Sequence, residues 1–242
     1  MCDSPNPSVG ALPSVIGPLR VSDDDDRLGG GFWNTFCSPS AATVAASAGG
    51  KCWSCGTSPS APSLPFLFCG SCRAVQPVKP SDDYFKIFGL ERGYDIGDSD
   101  LESKYKEWQK KLHPDLVHMK SEREKAYAAE QSARVIDAYR TLGKPCRRAI
   151  YLLKLEGIEV DEEQTVSEPD LLAEMMELRE AVDEASNSEA LKQIRNQIEH
   201  KLEAWSNSFS KSFKDRDFEG SIVSIQRMTY YERAIEEAIK KL

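Results

Sequence analysis

From Ser81 to Leu242 apolar side chains recur at steps of three and four and never settle into strand-like alternation, the spacing of helices that each bury one face. Leu101, Tyr105, Trp108 and Leu112 share one face of a first helix, for which Asp98 or Ser99 is the expected N-cap. Ala128, Ser132, Val135, Tyr139 and Leu142 form the stripe of a second, with Ile136 beside it, and Gly143 and Pro145 end it. These two pair antiparallel across the short loop between them. A second set follows: Leu171, Leu172, Met175, Met176, Leu178 and Val182; then Leu191, Ile194, Ile198, Leu202, Trp205 and Phe209; then Phe218, Ile222, Ile225, Met228, Tyr231 and Ile235. Short connections at Ser186–Ser188 and near Asp215 predict an antiparallel three-helix bundle. The fold class expected is therefore all-α, a helical hairpin over residues 81–157 and a C-terminal bundle over 166–242.

The N-terminal part has a different character. Residues 1–50 are rich in Gly, Ser, Pro and Ala, carry the acidic run Asp23–Asp26 and are expected to be disordered. Phe32, Trp33 and Phe36 read either as a short docking element or as a few apolar residues in a flexible tail. Residues 51–76 then hold four cysteines, and the Pro-rich stretch Gln76–Pro80 reads as an extended linker.

Cys52-Trp53-Ser54-Cys55 and Cys69-Gly70-Ser71-Cys72 are two Cys-x-x-Cys pairs thirteen residues apart, close to the spacing of four-cysteine structural zinc sites. Each pair offers two thiolates from one tight turn. Four of them satisfy tetrahedral zinc and staple a segment too short for its own core. A redox pair and an iron–sulfur ligand set are the alternatives, the former disfavoured because thioredoxin-like motifs sit at a strand-to-helix junction. The remaining cysteines, Cys2, Cys37 and Cys146, have no partner spacing and read as ordinary thiols.

A net charge of -8 argues against nucleic acid as a partner, since phosphate binding relies on clustered Lys and Arg. A zinc-ribbon nucleic-acid binder would need a basic surface near the cysteines, where only Lys51 and Arg73 offer charge. No apolar run approaches the roughly 18 residues of a membrane span, so no membrane partner is expected. The first fifty residues carry only Arg20 and Arg27 as cations, the wrong balance for an Arg-rich presequence.

His113-Pro114-Asp115 lies between the first two helices, preceded by Lys110 and Lys111. Pro114 fixes its own backbone and pushes His113 out of helical geometry, so the tripeptide ends a helix and presents an imidazole and a carboxylate on an exposed corner. A hydrolase built on that pair is disfavoured, because residues two apart on an exposed turn enclose no pocket and no nucleophile is nearby. Lys106 and Lys110 lie four apart opposite Tyr105 and Trp108, either a cationic docking surface or a solvated face. With the opening segment Asp83-Tyr84-Phe85-Lys86-Ile87-Phe88-Gly89-Leu90 and the later Ile136-Asp137-Ala138-Tyr139-Arg140-Thr141-Leu142, this arrangement resembles J-domains. The resemblance implies that His113, Pro114, Asp115, Lys104, Lys106, Lys110 and Lys111 dock on a DnaK-type heat-shock chaperone and stimulate its ATPase. On that reading the chain is a co-chaperone and not itself an enzyme.

The segment from Ala133 to Pro145, continued by Arg148-Ala149-Ile150-Tyr151-Leu152-Leu153-Lys154-Leu155-Glu156-Gly157, is similar to the J-domain exit of the iron–sulfur co-chaperone family HscB. Ordinary J-domains do not continue with this Tyr-Leu-Leu helix. Leu171 to Glu180 resembles that family's client-binding helix, and the resemblance covers residues 52–242. It implies a C-terminal bundle that binds the scaffold on which iron–sulfur clusters are assembled, with Tyr230 joining the patch. Leu172 and Met176, four apart, can form an exposed apolar stripe, and Glu177, Glu180 and Glu184 beside it suit a basic partner. Leu and Met at helical spacing are ordinarily core, but six apolar residues within 171–182 exceed one buried stripe. Ala173 departs from the larger apolar residue of bacterial members. Burial of Leu172, Met176 and Tyr230 together would favour a general J-protein with another client. Eukaryotic members carry such a cysteine knuckle, which points to mitochondria, with a cytosolic pool open because the N-terminus is acidic; a homodimer is also left open.

Overall fold

The computed structural model describes residues 50–59, 66–161 and 169–241. The expectations of disorder over residues 1–49, of a docking element at Phe32, Trp33 and Phe36, and of ordinary thiols at Cys2 and Cys37 lie outside them. Among the described residues there are eight α-helices and no strand, only an isolated antiparallel bridge between Phe68 and Val75. The all-α expectation holds.

Local chemistry sets the helix ends. The Asp83 carboxylate accepts from the Lys86 N–H at 2.8 Å and caps α1 (Tyr84–Ile87). α2 (Asp98–Lys111) is capped by Gly97, with no side-chain cap bond, so the expected N-cap at Asp98 or Ser99 falls one or two residues late. Asp98 and Asp100 instead occupy the first turn and Lys110 and Lys111 the last, each complementing the helix dipole. α3 (Pro114–Val117) is a single turn starting at Pro114, a residue suited to a first helical position. Ser121 accepts from the Glu124 N–H to begin α4 (Glu122–Gly143), and Pro145 opens α5 (Pro145–Leu155). α6 (Pro169–Glu184) leads to Asn187, whose side chain accepts from the Ala190 N–H at 2.8 Å and caps α7 (Ser188–Lys214). Asp217 accepts from the Gly220 N–H at 3.0 Å in the first turn of α8 (Phe218–Lys241). A Cβ at Gly220 would stand 2.2 Å from the Asp217 carboxylate, so that turn admits glycine alone without rearrangement.

Periodicity named part of the buried set, on α4 only Ala128, Val135 and Leu142. On α4 the buried stripe is Glu124, Tyr127, Ala128, Gln131, Val135, Ala138 and Leu142, while Ser132, Ile136 and Tyr139 sit half-buried at its edge. α6, α7 and α8 form the expected three-helix bundle, with Leu171, Met175, Ile198, Tyr231 and Ala234 in one buried cluster and Val182, Leu191 and Ala238 in another. α7 and α8 pack along a seam of small hydroxyls. Buried Ser221 and Ser224 donate to the carbonyls of Asp217 at 2.7 Å and Gly220 at 2.8 Å, which satisfies each hydroxyl within its own helix and lets the backbones approach closely.

The hairpin and the bundle do not stand apart. One buried cluster gathers Leu67 and Val75 from the cysteine segment, Phe85 and Ile87 of α1, and Leu101 of α2. It continues through Tyr127, Val135 and Leu142 of α4 and Leu152 and Leu153 of α5 to Phe209 of α7 and Ile225 and Met228 of α8. The Gln76–Pro80 stretch begins inside this structure rather than as a free linker. Gln76 is 2% exposed, and its carbonyl accepts from the Gln131 Nε2 of α4 at 3.0 Å.

Candidate metal centre and docking surfaces

Two copies of one backbone turn build the cysteine cluster. In the first, the Cys52 N–H donates to Thr57 O and the Gly56 N–H to Cys52 O; in the second, the Cys69 N–H donates to Ala74 O and the Arg73 N–H to Cys69 O. The fifth residue of each turn, Gly56 (φ +73) or Arg73 (φ 58), is left-handed, which lets the chain reverse so that both sulfurs of a pair face inward. Cys52 Sγ lies 3.6 Å from Cys72 Sγ, and Cys55 Sγ lies 3.7 Å from Cys69 Sγ. All four sulfurs fall within 4.8 Å of one another. Four thiolates about 2.3 Å from a common centre stand about 3.8 Å apart at tetrahedral corners. The cluster therefore has the dimensions to hold a metal ion.

The thiols respond to this crowding. Cys55 is lowered to about 6, first by the Thr57 hydroxyl and then by the Thr57 backbone N–H. For Cys72 the Ala74 backbone N–H favours the thiolate, yet desolvation and the neighbouring Cys55, Cys52 and Cys69 push it up to about 12. Sulfurs this close cannot all carry charge unless a cation sits among them. The Ser54 N–H and the Gln76 Nε2 also donate to Cys52 Sγ, at 3.4 and 3.3 Å.

The His-Pro-Asp corner stands on the loop between α2 and α4, with the side chains of His113 and Asp115 exposed. His113 Nδ1 accepts from the Asp115 N–H at 3.3 Å and lies 3.5 Å from the Asp115 carboxylate, while His118 Nδ1 lies 2.9 Å from Asp115 O. Lys106, Lys110 and Lys111 are exposed along α2, and half-buried Lys104 reaches Gly89 O at 3.4 Å. Lys106 pairs with Glu102 at 2.6 Å, and Lys111 sits 4.7 Å from the Trp108 ring centroid. Trp108 donates its indole N–H to Ile87 O at 3.1 Å, which anchors α2 to α1 beneath the cationic face.

On α6 the adjacent methionines divide. Met175 is 8% exposed and Met176 62%, while Leu172 is half-buried. Glu177, Glu180 and Glu184 are all exposed, and Tyr230 is half-buried on α8 with the Arg233 guanidinium 5.8 Å from its ring. The three residues are thus not buried together. Glu174, on the same helix, is tied to Lys201 of α7 and accepts from the Tyr231 hydroxyl of α8 at 2.9 Å. Burial disfavours its charge, but Lys201 and Tyr231 hold its carboxyl below the usual range. The same contact and the same burial push Tyr231 up to about 12.

Three residues escaped sequence reasoning: Gln76, Glu124 and Gln131. A signal existed for Gln131, since it falls four residues from both Tyr127 and Val135, where an apolar residue would continue the stripe. A polar side chain there implies a buried partner, but not which one.

Residues 167–240 match the family model described as the HSCB C-terminal oligomerisation domain. An iron–sulfur cluster co-chaperone protein HscB homolog of Arabidopsis thaliana is 55% identical over 207 residues, covering 86% of this chain and 77% of the relative. The iron–sulfur cluster co-chaperone protein HscB of Homo sapiens is 35% identical over 218 residues, 87% of this chain and 92% of the relative. The crystal structure of human co-chaperone protein HscB matches with a TM-score of 0.69 at 33% identity, over 79% of this chain and 98% of that one. Chaperone HscB from Vibrio cholerae matches with a TM-score of 0.60 at 29% identity, over 66% and 96%. The all-α architecture, the sequence motifs and this similarity along the chain agree: the chain belongs to the HscB family of iron–sulfur cluster co-chaperones.

Proposed function

We propose that the chain carries an iron–sulfur scaffold protein on its C-terminal bundle, delivers it to a DnaK-type heat-shock chaperone, and stimulates that chaperone's ATPase through His113, Pro114 and Asp115. In this reading residues 51–76 are the metal knuckle, 81–157 the J-domain and 166–242 the scaffold-binding bundle. The observation that carries it is Met176, 62% exposed beside half-buried Leu172 on a helix whose outward face also bears Glu177, Glu180 and Glu184. An exposed methionine rimmed by carboxylates supports an apolar and acidic docking face for a basic partner. Tyr230 joins it from α8.

At the other end, an exposed imidazole and carboxylate follow a helix face bearing Lys104, Lys106, Lys110 and Lys111, which supports a cationic surface for an acidic chaperone. Zinc is the metal we assign to Cys52, Cys55, Cys69 and Cys72, because four sulfurs within 4.8 Å of one another can fill a tetrahedral site and leave no open position for chemistry. When bound, it supplies folding energy to the knuckle rather than a reactive centre. Mitochondria, with a cytosolic pool, are the proposed location.

Calorimetric titration of an iron–sulfur scaffold into wild type and a Leu172→Ala, Met176→Ala double variant tests the client assignment. Binding by wild type that is lost in a variant of unchanged helicity is expected. A folded wild type that binds no scaffold would sink it.

A further inference from the structure

Gln76 touches the metal cluster and the J-domain at once. Its side chain donates from Nε2 to Cys52 Sγ at 3.3 Å and to Ala74 O at 2.8 Å, and its Oε1 accepts from the Trp53 N–H at 3.3 Å. Its backbone carbonyl accepts from the Gln131 Nε2 at 3.0 Å, and Gln131, in the middle of α4, is 2% exposed. One residue earlier, the Val75 N–H donates to Glu124 Oε1 at 3.3 Å, and Val75 O accepts from the Trp53 indole N–H at 2.7 Å. Glu124 is buried in the first turn of α4 and lies 3.4 Å from Lys120, on the loop that carries His113 and Asp115. Trp53, between the first two cysteines, meets the Tyr127 ring edge-on at 5.8 Å, with the Arg123 guanidinium 4.9 Å from its own ring.

These contacts are mostly polar and buried, and that decides their consequence. An apolar contact tolerates slippage, whereas a buried amide or carboxylate that loses its partner costs about 1–3 kcal/mol. The segment that closes around the metal is the same one that satisfies Gln131 and Glu124. A knuckle that opens would strand Gln131 inside the J-domain core and leave Glu124 with Lys120 alone.

We propose that α4, through Gln131 and Glu124, braces the Val75–Gln76 segment whose Gln76 side chain supplies the outer sphere of the four-cysteine site, so that metal occupancy and the order of α4, with the base of the His-Pro-Asp loop, are thermodynamically linked. The knuckle is then a buttress of the J-domain rather than a separate appendage. Linkage is reciprocal: if metal stabilises α4, a change in α4 must weaken metal binding by the same factor. The inference rests on the metal assignment made above.

The test uses the full chain and zinc ions in competition with a chromophoric chelator, comparing wild type with Gln131→Met, Trp53→Phe and, as a surface control on α7, Gln197→Ala. Loss of an outer-sphere contact typically costs about 10–100-fold in metal affinity, and a residue that acts through Gln76 belongs at the low end of that range. Gln131→Met, which touches no cysteine, is expected to weaken zinc by about tenfold, and Gln197→Ala to leave it unchanged. Hydrogen exchange read in parallel should show the amides of Tyr127–Val135 losing protection when zinc is removed, while α7 and α8 keep theirs. Should Gln131→Met fail to fold, Trp53→Phe, which removes the bond to Val75 O, carries the same expectation. Zinc affinity within twofold of wild type in a folded variant, or α4 protection indifferent to zinc, overturns the linkage and leaves the metal site standing. A wild type that takes up no zinc overturns both.

Discussion

Met175 and Met176 are adjacent on α6 and chemically identical, yet one is 8% and the other 62% exposed, so alanine at each position should separate stability from binding. Met175 packs into the cluster of Leu171, Ile198, Tyr231 and Ala234. Truncating a buried Met to Ala costs about 2–5 kcal/mol, and Met175 keeps a small exposure, so a loss of about 2 kcal/mol is expected. For a folded chain of 150–250 residues that lowers Tm by roughly 4–8 °C. Met176→Ala removes atoms already in water and should stay within about 0.5 kcal/mol of wild type. Scaffold affinity should fall in the exposed variant, because truncating an apolar anchor in an interface costs at least about 1.4 kcal/mol, or tenfold. Urea and thermal unfolding followed by circular dichroism read the first quantity, and calorimetric titration with a scaffold protein reads the second. Equal destabilisation by both substitutions would refute the assignment of one side chain to the core and the other to solvent. A stable Met176→Ala that binds the scaffold like wild type would refute the docking face.

His113→Gln should abolish stimulation of a DnaK-type ATPase while leaving unfolding within about 0.5 kcal/mol of wild type, since the imidazole is exposed; stimulation that survives would remove His113 from the proposed corner. Phe209, whose ring lies 4.7 Å from that of Tyr94 and 5.6 Å from that of Phe213, sits in the core shared by both halves, so Phe209→Ala should cost about 3–5 kcal/mol. The loss should appear as a single transition reporting on both halves, and two separated transitions would contradict a common core. Burial raises the Glu232 carboxyl, against the opposing pull of Lys144, Arg147 and the Cys146 N–H, with Glu236 raising it further. A folded-state pKa above the unfolded value means that this contribution is fully present below the unfolded pKa and is lost as pH rises through the folded one. Glu232→Gln should therefore gain on wild type in urea unfolding as pH rises from about 4.5 to 7, and a pH-independent difference would refute the burial argument.

Much of the site was legible before the fold. The cysteine spacing announced a four-sulfur cluster because two Cys-x-x-Cys turns need nothing beyond their own backbone to aim their sulfurs. His113-Pro114-Asp115 announced its exposed corner because Pro114 breaks the helix wherever the chain runs. The reading of Gln76–Pro80 as an extended linker is incomplete at its first residue, for a related reason: Gln76 is buried, whereas Lys79 and Pro80 are exposed. Proline predicts an extended backbone, and says nothing of whether that backbone lies in water or against α4.

What the sequence alone determined were the properties that depend on neighbours along the chain: helix positions and breaks, the face each apolar stripe occupies, the cysteine pairs and the sign of the charge. Tertiary structure alone decided which face is covered and by what. Periodicity puts Met175 and Met176 on neighbouring positions of one helix, but only the packing of α7 and α8 buries the first and leaves the second in water. Gln131 falls on the buried stripe of α4, but its partner Gln76, and the Val75 that meets Glu124, lie 55 and 49 residues away and only the fold brings them together. A buried polar group is stable only with its partner, and partners distant in sequence leave no periodic trace.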